Sequence, residues 1–220
     1  MPAASVFVTG ATGYIGSRLV ARLAARGHAV RALVRPGSEG KLPAGVTPVR
    51  GDALDAASFA GAVRGGDTFV QLVGTPHPSP AKAAQFRSVD LASARASLEN
   101  AARSGVAHFI YVSVAHPAPA MHAYIAARTE AEALLLATGL PSTVLRPWYV
   151  LGPGHRWPYA LVPLYWVARR VPSLRDGATR LGLVTLRQMV DALVAAVESL
   201  PSGVRVWGVP DIRRAGARSS

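Results

Sequence analysis

The chain has no cysteine, so disulfides, thiolate zinc sites and a cysteine nucleophile are all excluded. Lysine is almost missing as well. Of 24 basic residues only Lys41 and Lys82 are lysines, and the arginine excess reads as codon usage rather than function. Acidic residues number 12, and none precedes Glu39. No apolar run is long enough to cross a bilayer, and the N-terminus carries no signal-peptide pattern. A soluble, cytoplasmic protein without a transmembrane segment is expected. His155 stands alone between glycine and arginine, so no metal site is expected. The net charge is +12, yet outside Arg213, Arg214 and Arg218 the basic residues are dispersed. With no basic run interleaved with aromatics and no helix-turn-helix pattern, nucleic-acid binding is not expected. A basic surface does attract small anions.

What the chain does have is length and apolar content for one well-buried domain: 220 residues, half of them hydrophobic. Strand and helix patterns alternate. Strands are expected at 6–8, 28–34, 46–49, 68–73, 108–114, from 143 and at 204–209. Helices are expected at 17–26, 55–63, 80–104, 124–138 and 186–200. Such alternation predicts an α/β fold, a doubly wound parallel sheet of the Rossmann type. The expected organisation is a single domain over 1–220, with 153–185 as a cap on the substrate side.

Between the first strand and first helix stands Thr9-Gly10-Ala11-Thr12-Gly13-Tyr14-Ile15-Gly16. Three glycines at this spacing permit a sharp turn, a close backbone approach to a pyrophosphate, and tight packing of helix on strand. The helix that follows points its positive end at that anion. Some twenty residues on, where an acid would accept a bond from a ribose hydroxyl, stands Arg35, with Arg31 earlier on the same strand. That arrangement favours a 2′-phosphate, hence NADP over NAD. Asp52 follows the third strand, and Asp55 suits the cap of the next helix, which leaves Asp52 for a ligand.

The glycine pattern and the letters around Tyr124 resemble the short-chain dehydrogenase/reductase superfamily. The nearest likeness is to its atypical, NmrA-like branch, including relatives of the Rossmann accessory subunit of respiratory complex I. The resemblance covers roughly residues 5–155. It implies a cofactor site of Gly10, Thr12, Gly13, Tyr14, Ile15, Gly16, Arg35, Asp52, Ala53, Val73, Gly74, Thr75, Pro147, Trp148, Tyr149 and Val150. Asp52 would meet the adenine amino group, and Pro147–Val150 would border the nicotinamide. It also implies a catalytic set of Ser113, Tyr124 and a lysine four residues after the tyrosine. Here that lysine is Arg128, while the later acid of the same helix, Glu132, is present. Arginine supplies the charge without the lysine's shape or its proton relay.

Beyond Gly152-Pro153-Gly154-His155 lies an aromatic stretch with Trp157, Tyr159, Tyr165 and Trp166, bounded by Arg156, Arg169 and Arg170. It suits a small hydrophobic substrate such as a quinone, isoprenoid or aromatic ketone. It also suits peripheral membrane contact, or a lid that packs on the core. Two functions stay open at this point. One is an NADPH-dependent oxidoreductase acting on a hydrophobic carbonyl or quinone. The other is a non-catalytic dinucleotide sensor or accessory protein of a membrane-linked complex.

Overall fold

In the computed structural model, residues 3–153 and 172–218 are described. The expected aromatic stretch with Trp157, Tyr159, Tyr165 and Trp166, and His155, lie outside them. Seven strands form one parallel sheet in the order β3-β2-β1-β4-β5-β6-β9. They are β1 (Ser5–Thr9), β2 (Ala29–Val34), β3 (Val46–Arg50), β4 (Thr68–Gln71), β5 (His108–Val112), β6 (Ser142–Leu145) and β9 (Val204–Trp207). The order runs outward from β1 to β3 and then reverses to β4. The crevice at that reversal, beyond the carboxyl ends of β1 and β4, is where such sheets bind ligands.

Both faces of the sheet's centre are covered, which is why β1, β4 and β5 are buried almost throughout, while the edge strands β3 and β9 are partly exposed. On one face Leu19, Val20 and Leu23 of α1 (Gly16–Ala25) pack with Met189 and Leu193 of the later helix Leu186–Val197. On the other, Phe7, Phe69 and Phe109 cross three adjacent strands, with ring centroids 5.2 and 5.1 Å apart.

The long helix expected over 80–104 is broken into pieces. A 3₁₀ turn (Pro80–Lys82) leads to a single turn α2 (Ala83–Gln85), a π-helical turn (Phe86–Leu91) and then α3 (Ala92–Ser104). The wide turn seats Asp90 in the interior with no exposed surface. After β5, α4 (His122–Ala137) follows. Two three-residue strands escaped the sequence pattern: β7 (Tyr149–Leu151) pairs in parallel with β8 (Leu183–Thr185). They flank α5 (Pro172–Arg180), and β8 leads into α6 (Leu186–Val197), whose start carries a reciprocal Thr185–Gln188 capping box. The last strand ends at Trp207 rather than 209. Gly208 and Asp211 turn the chain into α7 (Val209–Arg218), with Pro210 in its first turn. The basic tail thus lies on a helix: Arg213 Nε donates to the Leu183 carbonyl at 3.0 Å, and Arg214 pairs with Asp211.

One buried histidine makes stability depend on pH. His108 on β5 is fully buried, with Nε2 2.9 Å from Thr143 Oγ1. Burial, and then the charge of Arg205, push its pKa down to about 4. The unfolded chain binds that proton near pH ~6.5. The contribution is therefore complete above about pH 6.5 and is lost as pH falls towards about 4, by at most ~3 kcal/mol. Thermal unfolding across this window should show a steeper loss for the parent than for His108→Gln. Equal slopes would remove His108 from the account.

Candidate functional site

The glycine loop opens the crevice. Gly10 has φ +75, and a Cβ there would stand 2.8 Å from the Leu72 carbonyl carbon, so no other residue fits without displacing the backbone that follows β4. Gly16 is a packing glycine: a Cβ would strike the Gly10 carbonyl, which holds α1 against the loop. At Gly13 a Cβ would touch only the Gly10 oxygen, at 3.2 Å. The backbone there faces open space, as a phosphate cradle requires. The start of α1 has no side-chain cap and no acid in its first turn, so its positive end is uncompensated.

The crevice is a cleft of about 380 Å³. Among the expected cofactor residues, Gly10, Thr12, Gly13, Arg35, Asp52, Ala53, Val73 and Gly74 line it. Arg35 is exposed at the end of β2 and has no ion-pair partner among the described residues. Arg31 is not part of this site. It turns to the opposite layer, pairing with buried Asp67 at 2.5 Å. Asp55 is the cap, its Oδ1 accepting from the Ala57 amide at 3.0 Å. Asp52 sits in the cleft wall, held by an Asx bond from the Leu54 amide and by Ser58 Oγ. Buried Gln71 shapes the far wall by accepting from the Val73 amide (2.7 Å) and Thr9 Oγ1 (2.7 Å).

The other expected cofactor residues stand elsewhere. Ile15 packs on the core, and the Tyr14 ring lies under Arg18, its phenol against Gly152. The Pro147 carbonyl accepts from the Ala115 amide, and the Trp148 and Tyr149 rings meet edge-on at 5.4 Å. Tyr149 and Val150 belong to β7, where burial raises the Tyr149 phenol's pKa. Thr75 is buried beneath the cleft wall and bonds Asp90 rather than lining the cleft.

Behind Gly74 of the cleft wall stands Arg128. Its guanidinium replaces the side chain that Gly74 lacks; a Cβ at Gly74 would stand 3.5 Å from Arg128 Cζ and 3.2 Å from Asp90 Oδ1. Arg128 is 6% exposed. It donates to Asp90 Oδ1 (2.6 Å), the Val112 carbonyl (2.9 Å) and the Tyr111 phenol (3.3 Å). The Tyr124 and Tyr111 rings flank it, with centroids 5.1 and 5.7 Å from Cζ. Burial by itself would lower the guanidinium's pKa, but Tyr124, Tyr111 and Asp90 together raise it, so the group stays charged. Burial raises the Tyr111 pKa, against the opposing pull of Arg128. Ser113 follows Val112 directly. Its Oγ and Arg128 Nε are both buried without a hydrogen-bond partner among the described residues. Further along α4, Glu132 pairs with Arg146 and lies 3.7 Å from His116.

Sequence reasoning missed Asp90, whose only signal was a lone acid in the segment between Ser79 and Glu99. It also missed Val89, Pro76 and Ser38 in the cleft wall. Among the described residues no cluster of potential metal ligands occurs, and no helix is long and apolar enough to cross a membrane.

A family model described as NAD(P)H-binding matches residues 10–157, which contain the whole cleft and the Arg128 cluster. The chain belongs to this NAD(P)H-binding family. It is 32% identical to the 3-diazoavenalumate denitrifying reductase of a Streptomyces species, over 90% of this chain and 73% of that protein. It is 29% identical to the ceramide reductase of Caulobacter vibrioides, over 96% of this chain but only 66% of that protein's length. Its fold matches the Bordetella bronchiseptica enzyme WbmH in complex with NAD+, with a TM-score of 0.69 at 22% identity, over 94% of this chain and 76% of that one.

Proposed function

We propose that the chain binds NADP(H) in this cleft and acts as an oxidoreductase on a hydrophobic carbonyl or quinone, with Ser113, Tyr124 and Arg128 as its working residues. In this reading residues 1–220 make one unit and 153–185 cover the substrate. One observation carries it. Arg128, four residues after Tyr124 and bonded to the carbonyl before Ser113, stands against Gly74 in the cleft wall. When bound, the reduced dinucleotide supplies the hydride. Ser113, buried with no hydrogen-bond partner among the described residues, donates to the substrate oxygen, and the Tyr124 phenol gives or takes the proton there. Arg128 holds positive charge beside both. The two reductase names among the relatives support reduction, and the name ceramide supports an apolar substrate. At the adenosine end, Arg35, without an ion-pair partner among the described residues, supports the 2′-phosphate form.

The test is NADPH titration followed by turnover on a panel of carbonyls and quinones. Binding without any hydride transfer would favour the second reading, a dinucleotide-binding accessory or sensor protein. One observation favours that reading specifically: Arg128 is engaged by Asp90, where the superfamily's lysine is free to reach a ribose.

The glycine loop has its own test. Gly13 has no positive φ, so Gly13→Val should fold, yet its branched Cβ fills the space an anion needs. NADPH affinity should fall by about 100-fold or more, ~2.7 kcal/mol, with circular dichroism unchanged. Undiminished binding would place the phosphates elsewhere.

A further inference from the structure

We propose that Asp90 is a positioning residue of this site, clamping Arg128 as a fixed pillar under Tyr124 so that the cation supports the phenol rather than contacting the cofactor. The proposal rests on the oxidoreductase reading above and goes beyond it, because Asp90 lies outside the expected catalytic set.

Three features point this way. First, Asp90 is fully buried, and each oxygen is committed. Oδ2 accepts from the Thr75 amide (2.9 Å) and Thr75 Oγ1 (2.6 Å), while Oδ1 accepts from Arg128 (2.6 Å). Second, the π-helical turn that carries Asp90 also carries two other residues of the site. Phe86 packs on the Tyr124 ring at 5.0 Å, and Val89 lines the cleft. Wide turns of this kind recur where a helix re-aims side chains at a site. Third, only a planar fork can make the contacts observed. Arg128 uses one terminal nitrogen for Asp90 and the other for the Val112 carbonyl and Tyr111, while two aromatic rings flank the plane. A lysine ammonium at this position would be a point charge without that geometry. With both terminal nitrogens engaged inside the protein, Arg128 is held away from a ribose in the cleft.

The charged and titratable groups facing Arg128 are Asp90 from the turn, Tyr111 from β5 and Tyr124 from α4 itself. Removing the Asp90 charge frees the fork to move. Asp90→Asn should therefore lower kcat by about tenfold or more and leave NADPH affinity within about twofold, since only the phenol's support is lost. Thr75→Val, which deletes one bond to Asp90, should act in the same direction but more weakly, and Thr75→Ser should restore the parent value.

A second readout does not need turnover. Nuclear Overhauser contacts between the Tyr124 ring and the Arg128 side chain should be strong in the parent, reduced in Thr75→Val and lost in Asp90→Asn. An Asp90→Asn variant that keeps kcat and those contacts overturns the proposal. So does one that weakens NADPH binding as much as it lowers kcat, because Arg128 would then be a cofactor ligand. If the parent shows no turnover at all, the oxidoreductase reading fails while the ring contacts still decide the clamp. Should Asp90→Asn not fold, the paired Thr75 variants carry the same decision.

Discussion

Tyr124→Phe should abolish hydride transfer while leaving NADPH binding almost unchanged. The substitution removes one oxygen and retains the ring that packs on Phe86 and over Arg128. A proton donor or acceptor at the reacting oxygen contributes roughly 100- to 10,000-fold. That contribution exists mainly in the transition state, so kcat and kcat/KM should fall together. Stopped-flow measurement of the hydride step beside equilibrium titration separates the two quantities. A Tyr124→Phe protein that retains most of its turnover would take the phenol out of the chemistry. Arg128→Lys, the substitution that restores the cation of the superfamily the sequence resembles, should also lose activity, because the ammonium leaves the Val112 and Tyr111 contacts unmade.

Arg35→Asp should reverse the cofactor preference. The parent is expected to bind NADPH more tightly than NADH, through a charge-assisted contact to the 2′-phosphate worth about 1.5–3 kcal/mol, or roughly 10- to 100-fold. Arg35 lines the cleft with no carboxylate partner among the described residues, so no internal ion pair has to be broken before it meets the phosphate. Aspartate there repels the phosphate and offers the ribose hydroxyls an acceptor. Because Arg35 is exposed, the preference should narrow as salt is raised. Calorimetry giving equal affinities for the two cofactors in the parent would refute the assignment.

That the glycine loop, Arg35 and Asp52 share one cleft was legible because their placement depends on short spacing along the chain: strand, turn, helix, then the end of the next strand. The sheet was legible for the same reason, its central strands being short apolar runs bounded by turn formers. Asp90 was not. Its place depends on a π-helical turn, which changes the angular spacing that helical periodicity assumes, so no face could be assigned to it. Thr75 was read as a cofactor neighbour because it ends the β4 segment, whereas it turns inward to Asp90. The strands β7 and β8 are three residues each, too short for alternation to register. In α7, Pro210 and a run of arginines hid a helix whose apolar side rests on α6 through Ile212.

Gly74 links the two halves of the site in a way that constrains how the sequence can change. One side of its backbone forms the cleft wall; the other is filled by the Arg128 guanidinium, with Asp90 behind it. Any side chain at position 74 must expel a cation held by three hydrogen-bond partners, so glycine at 74 and arginine at 128 are sterically one requirement rather than two. Changes at the two positions should be strongly non-additive, as expected of residues sharing one space. A lineage moving from this arginine to a lysine would lose the steric reason for glycine at the same moment, and the cleft wall would be free to acquire a methyl group.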